Sequence, residues 1–403
     1  MVELLSPARD FAALNSAVKN GADSVYIGIE GCNMRAHAAN FKIEDLKRAA
    51  DICHESAVKL YICTNTIMKE DEIEYLKGVM PVIKDSGADA VIVSDLGALK
   101  VAREHGVPVH MSVQANLSNT ESLQILEELG VERAILSREL SLEDIKRIKS
   151  GTAMEIETFV HGAMCMAVSG RCFLSSYLYD KGANCGECLQ PCRKRWKLLS
   201  GDGEELSMFV SEGSVPDTTH IMSPKDLCMV EHVPELVESG IDAFKIEGRA
   251  RPADYVATVT KVYREAIDIY NTGSWDVNRQ ERMDGWMSEL RKIFNRGFDT
   301  GFYLRKPYKI SGYNESTHKK QDVGEVVNYY SRVSAAEIRL WNDLEVDDEV
   351  VIQGPTTGSL IQKVESMQIN GENIQKGFKG QNVAISVVDK VRPNDSVYKR
   401  IKK

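Results

Sequence analysis

The sequence predicts an α/β fold: a TIM-like (β/α)8 barrel with a Cys-rich insertion after strand 7, joined to a small C-terminal all-β barrel. Three observations carry this. Short stretches rich in Val and Ile alternate with stretches of helical period from the start to residue 271. Five cysteines crowd into residues 165–192, directly after the seventh apolar stretch. Beyond residue 310 the helical period gives way to short runs separated by turn residues.

Taken in order, VELLS (2–6) precedes DFAALNSAVKN (10–20), DSVYIGIE (23–30) precedes KIEDLKRAADICHES (42–56), and VKLYICTN (58–65) precedes DEIEYLKGVMPVIKDSG (71–87). ADAVIVSD (88–95) then leads to GALKVAREHG (97–106), VPVHMSVQAN (107–116) to NTESLQILEELG (119–130), and VERAILSR (131–138) to SLEDIKRIKS (141–150). The seventh strand, AMEIETFVHG (153–162), opens the cysteine segment. After a helix at SPKDLCMVEHVPELVESG (223–240), an eighth strand, DAFKIEGR (242–249), leads to ADYVATVTKVYREAIDIYN (253–271). Eight such units suit a closed barrel, whose usual size is about 250 residues. An open doubly wound sheet uses the same alternation, and counting strands does not prove closure. Residues 1–310 are assigned to the barrel, 162–200 to its insertion and 311–403 to the second domain.

Composition limits the chemistry. A chain of 403 residues with 43% hydrophobic and 27% charged residues is an ordinary globular protein. No run approaches the ~18 apolar residues that a membrane span requires. The opening MVELLSPARDFAALN lacks the basic stretch and apolar core of an export signal, so a cytoplasmic location without membrane contact is expected. Thiols stay reduced there, and nine cysteines, an odd number, argue against a disulfide framework. A net charge of −9 excludes general basicity as a means of holding nucleic acid. Any RNA contact must be local.

Strand side chains alternate, so residues two apart share a face. In strand eight Lys245, Glu247 and Arg249 oppose Phe244 and Ile246; in strand five His110, Ser112, Gln114 and Asn116 oppose Val109, Met111 and Val113. Strand seven sets Glu155, Glu157, Phe159 and His161 against Ile156, Thr158 and Val160. The apolar sets suit the helix layer, which points the polar sets into the barrel. Glu30, Asn65, Asp95, Gln114, Arg138, His161 and Glu247 then gather at the C-terminal strand ends, where such barrels build their active sites. Asp95, before LGALK, is equally suited to capping a helix.

Cys165, Cys172, Cys185, Cys188 and Cys192 lie on the insertion over the same mouth. Four thiolates hold zinc or an iron–sulfur cluster, and the ligand types alone do not choose between them. Only Cys185-x2-Cys188 has the familiar zinc spacing. Cys53, Cys63 and Cys228 sit in apolar patterns and read as buried structural thiols.

ETFVHGAMCMAVSGRC followed by GECLQPCR resembles the signature of the peptidase U32 family, long catalogued as collagenase-like. ELLSPARDF, GADSVYIG, NMRAHAANF, VKLYICTNT, SRELSLEDI, SPKDLC and KIEGRARPADYVATV fall in that family's order as well. The resemblance implies an iron–sulfur protein, of 4Fe–4S type, supporting oxygen-independent hydroxylation. The branch it points to makes 5-hydroxyuridine at a tRNA wobble position with prephenate as co-substrate; other branches act on a ribosomal RNA cytidine or a quinone precursor. It selects Cys165, Cys172, Cys188 and Cys192 as ligands, while Cys185 stands where relatives often carry arginine.

The peptidase name meets a chemical objection. There is no H-E-x-x-H or G-x-S-x-G motif, and although His161 lies close to Cys165 in sequence, a metal-bound thiolate is a poor nucleophile. Hydroxylation asks for polar groups to orient a base, with His161, Glu157, Glu247, Gln114 and Asn65 as candidates. It also asks for a cation to hold a small acidic co-substrate, for which Arg35, Arg138 and Arg249 are suited by bidentate pairing.

After the linker YKISGYNESTHKKQD (308–322), the runs VGEVVNYYS, AAEIRLWN, DEVVIQGP, SLIQKVESMQI and NVAISVVD read as a small β-barrel. It resembles the domain appended in the tRNA-modifying branch, so tRNA is the expected partner. Arg193, Lys194, Arg195 and Lys197 around Trp196, and the terminal KRIKK, are candidate phosphate and base contacts. Whether a protein partner is also required is not written in the sequence.

Overall fold

The protein is described by a computed structural model. It describes residues 1–31, 33–34, 39–168, 171–196, 199, 201–203, 223–304 and 314–403. The predicted 310/311 boundary and the predicted contacts Arg35 and Lys197 lie outside the described residues.

Eight parallel strands form the barrel: β1 (Glu3–Pro7), β2 (Ser24–Gly28), β3 (Lys59–Thr64), β4 (Ala90–Val93), β5 (Val109–Met111), β6 (Arg133–Ile135), β7 (Glu155–Gly162) and, at the eighth position, β9 (Ala243–Ile246). Each pairs with the next, and β9 pairs with both β7 and β1, so the sheet closes. Closure excludes the doubly wound alternative. β2 is buried at all five positions, as expected of strands covered on both faces.

Local chemistry places the surrounding helices. Asp10 accepts from Ala13 N at 2.9 Å to start α1 (Phe11–Lys19), and α2 spans Leu46–His54 and α3 Glu70–Asp85. Asp95 accepts from Gly97 N and Ala98 N to start α4 (Leu96–Glu104), so its capping role prevails. Asn119 caps α5 (Thr120–Glu128), and Ser141 forms a capping box with Asp144 at α6 (Leu142–Ser150).

Among its described residues the insertion carries one short α-helix, α7 (Leu174–Tyr179). The helix expected over 223–240 is only partly one. Its first part forms the strand β8 (Asp226–Cys228), and the α-helical part, α8, is confined to Val233–Glu238. β8 runs antiparallel to the end of β7, joining His161 to Cys228 and Gly162 to Leu227, and is flanked by β10 (Phe298–Asp299). β7 is thus drawn beyond the barrel rim. Two helices follow β9: α9 (Ala253–Asn271) and α10 (Arg279–Lys292), the latter absent from the sequence expectation.

The barrel floor is charged. Arg133 bonds Glu3 at 2.8 Å, Glu155 at 2.6 Å and Glu157 at 3.4 Å, while Lys245 bonds Glu157 at 2.7 Å. Tyr61 donates to Glu3 at 2.9 Å and meets the His110 ring edge-on at 4.6 Å. Every buried charge has a partner, which is what makes its desolvation tolerable.

The C-terminal unit is an antiparallel sheet curled about one apolar core that includes Val326, Ile338, Val350, Ile352 and Val383. Its long strands are β11 (His318–Tyr330), β12 (Ala335–Leu340), β14 (Glu349–Gly354), β15 (Gly358–Lys363), β19 (Asn382–Ser386) and β20 (Ser396–Lys402); β13 (Leu344–Glu345), β16 (Met367–Ile369), β17 (Glu372–Asn373) and β18 (Lys376–Gly377) are short. Lys399–Lys402 pair with β11, and Lys399 pairs with β14 as well, so most of KRIKK is part of a strand rather than a free basic tail. Arg400 is buried against Glu349 at 3.2 Å.

Candidate active site

A cavity of about 480 Å³ opens at the C-terminal ends of the barrel strands, beneath the insertion. Its lining joins the strand-end polar groups to the thiols.

Cys165, Cys172, Cys188 and Cys192 of the insertion all line it, and Cys185 does not; Cys63 of β3, expected as a structural thiol, lines it too, with its thiol pushed up by burial. Burial pushes the Cys192 thiol up; Arg193 pulls the other way, and Cys165, Cys188 and Cys172 add to the rise. Among the described residues no three ligand-type side chains are set to hold one metal ion. A polynuclear cluster separates its thiolates more widely than a single ion does, and a set of four cysteines is the donor chemistry such a cluster takes. By contrast Cys53 and Cys228 are buried in the core and pushed up to about 12 by burial, as inert structural thiols.

Lys245, Glu247 and Arg249 all line the cavity, as their shared face requires. Arg249 donates to Asn33 Oδ1 at 2.6 Å and Asn40 Oδ1 at 2.8 Å, and its buried Nε has no partner. Arg138 donates to Ala163 O at 2.9 Å, lies 4.0 Å over the Phe159 ring, and also leaves Nε without a partner. Asn65 donates to Ser112 Oγ at 3.2 Å and to Gln114 Oε1 at 3.1 Å. These three form a polar shelf of amides and a hydroxyl on one wall.

Two predicted groups are elsewhere. Glu157 is fully buried in the floor network, tied to Lys245 and Arg133, so it holds Lys245 in place beneath the cavity. His161 does not line the cavity: its ring is enclosed by Tyr263, Tyr255 and Phe298 at 5.5, 6.1 and 5.7 Å. The cause is a register shift in β7. Phe159 pairs with Lys245 but His161 pairs with Ile246, so one extra residue turns the alternation over. Burial, reinforced by Arg251, holds the imidazole neutral, down to about 3.

The basic run is also used differently than expected. Arg193 donates to Ser223 Oγ at 2.8 Å, to Pro224 O at 2.7 Å and to Met164 O, fastening the insertion to the barrel. Lys194 bonds the Tyr179 hydroxyl at 2.9 Å, and Trp196 Nε1 donates to Pro191 O at 2.8 Å. Arg195 is exposed.

Sequence reasoning missed Arg251 and Arg296, which line the cavity and stack on Phe294 at 3.7 and 4.9 Å. Strand alternation does not reach Arg251, because the chain turns after β9, with Arg251 N donating to Gly248 O at 2.7 Å. With Arg138, Arg193 and Arg249 they put five guanidiniums on the lining that holds the insertion thiols, and cations there offset thiolate charge.

A closed parallel barrel with four insertion cysteines lining a cavity at its C-terminal mouth defines the class, a (β/α)8 barrel protein with a cysteine-lined cavity. The model of peptidase family U32 matches residues 9–312, and the chain belongs to that family. It is 45% identical to a protein named an uncharacterized protease from Methanocaldococcus jannaschii, over 99% of this chain and 98% of that one. A collagenase of Porphyromonas gingivalis is 39% identical over 98% of this chain and 97% of its own. A tRNA hydroxylation protein of Bacillus subtilis is 35% identical over 91% of this chain and 86% of its own. No helix among the described residues is long and apolar enough to cross a membrane.

Proposed function

We propose that the chain is an enzyme of RNA hydroxylation that forms 5-hydroxyuridine at a tRNA wobble position, with prephenate as acidic co-substrate. One observation carries the reading: four thiols, a polar shelf and arginines with unused donors converge on a single cavity. The name of the Bacillus relative supports the RNA assignment. Cys165, Cys172, Cys188 and Cys192 would hold an iron–sulfur cluster, which supplies one-electron redox capacity when bound.

The chain's own groups do the positioning. Arg138 and Arg249 both line the cavity, and a dicarboxylate such as prephenate suits two guanidiniums. Asn65 and Gln114 present amide donors and acceptors, the pattern of a uracil edge. Glu247 places a carboxylate in the lining, able to hold the proton leaving the base carbon. The Phe159 ring lies 4.0 Å from the Arg138 guanidinium and holds it in the lining.

The collagenase name of one relative leaves peptidase activity as the competing class. No geometry favours it, because His161 is walled off from the cavity that Cys165 lines. Nucleoside mass spectrometry on tRNA from a deletion strain tests the proposal. 5-Hydroxyuridine and its derivatives should disappear; unchanged levels, with peptide hydrolysis by the purified chain, would overturn it. Independently, protein purified without air should contain iron and sulfide, both lost in Cys165→Ala and Cys192→Ala. Zinc in their place would reject the cluster.

A further inference from the structure

The basic run proposed for RNA contact is largely occupied with internal bonds, yet the same insertion carries an unused surface. Phe173 and Tyr177 are 76% and 87% exposed, extreme values for large aromatic side chains. They are four residues apart, at the start and within α7, and Tyr177 N donates to Phe173 O, so the two rings share one helix face. The opposite face is anchored: Leu174 lines the cavity and buried Ser175 Oγ accepts from Leu189 N at 3.1 Å. The helix is therefore held rigidly with its aromatic face outward.

From this we propose that the Phe173–Tyr177 face is a platform on which unpaired nucleobases of the RNA stack beside the cavity. The inference rests on the RNA reading above and specifies how that substrate is held. Charge favours a polyanion: residues 171–196 carry five Lys and Arg against two Asp and Glu, on a chain of net charge −9. Arg171, exposed, makes no hydrogen bond or ion pair by its side chain among the described residues. It stands two residues before Phe173, where a phosphate of the stacked strand would pass. Continuity with the site is direct, since Cys172 and Leu174, flanking Phe173, both line the cavity. Stacking on aromatic faces with cations alongside is how single strands are held without sequence readout.

The test uses the full-length holoprotein, a transcribed tRNA and a fully paired RNA duplex. Phe173→Ala and Tyr177→Ala should each weaken tRNA binding by about tenfold, with duplex binding and iron content unchanged. Phe173→Leu with Tyr177→Leu should fail to restore binding, because leucine returns apolar bulk without a π-face. Tyr177→Trp should keep the affinity, and its fluorescence should be quenched by tRNA but not by duplex. Wild-type affinity in the double Ala variant, or full recovery with leucine, overturns the platform while leaving the RNA reading intact. Absence of tRNA binding by the wild-type protein overturns both.

Discussion

His161 shows how much a single residue's environment decides. Its type and strand-end position suggest a catalytic base, but the register shift in β7 sends it into the helix layer. A buried imidazole held at about 3 does not take up the proton that the unfolded chain takes up near 6.5. The unfolded state therefore binds more protons between these values, and stability falls as pH drops from about 6.5 toward 3. His161→Phe, which keeps a ring among Tyr255, Tyr263 and Phe298, should flatten that fall while leaving activity within a few-fold of normal. Urea unfolding at pH 7 and pH 4.5 measures the difference; a hundredfold loss of activity would return His161 to the mechanism. Glu3 acts in a second acid window. Burial alone would raise its carboxyl, but hydrogen bonds and charge from Arg133, with Ser24 and Tyr61, hold it at about 2, so its contribution is lost as pH falls from about 4.5 to 2. The alternation of β9 was readable because nothing interrupts it, whereas the shift in β7 shows only in its pairing with β9, far along the chain.

At the scale of elements, a strand can be shaped by a residue it lacks. Gly28 ends β2, and a Cβ built there would fall 2.0 Å from Arg249 Nη2. The neighbour is the tip of a long side chain, so Gly28→Ala should leave the fold intact and push the guanidinium off Asn33 and Asn40. On the proposed reading, KM for prephenate rises about tenfold, the worth of a charge-assisted hydrogen bond, with little change in unfolding midpoint. An unchanged KM would remove Arg249 from co-substrate binding. The eight barrel strands and most of their helices were legible from period and capping residues such as Asp10 and Ser141. β8 was not, because three residues inside an insertion carry no period, and SPKDLC followed by VPELVE reads as one helix. The four cavity thiols were separated from Cys185 by resemblance rather than by spacing, and in the structure Cys185 stands off the cavity.

On the scale of the whole molecule, α9 explains how the two units are joined. Twelve of its nineteen residues are buried, more than a surface helix needs, because one side packs on the barrel and the other on the C-terminal sheet. Lys320 of β11 bonds Asp254 of α9 at 2.8 Å and Gln353 of β14 at 3.1 Å. Around it, Lys292 meets Glu349 at 3.2 Å, Lys19 donates to Thr357 O at 3.0 Å, and Asn15 donates to Pro355 O at 2.9 Å. The second unit thus sits on α1, α9 and α10, and polar bonds fix its orientation. Sequence texture revealed its strands but not this seam, since Lys320 and Asp254 are ordinary charges until the fold brings them together. Lys320→Ala leaves the buried Asp254 carboxylate facing only Gln353, which costs about 2 kcal/mol when the lost partner is itself part-exposed. Calorimetry should then resolve two transitions where the wild-type protein shows one, because the weakened seam no longer couples the units. Iron content should be unaffected, since the four cavity cysteines lie on the barrel's insertion. If orientation of the second unit matters for RNA, tRNA affinity falls together with the coupling; a single unaltered transition would show that apolar packing of α9 and β15 alone holds the two units together.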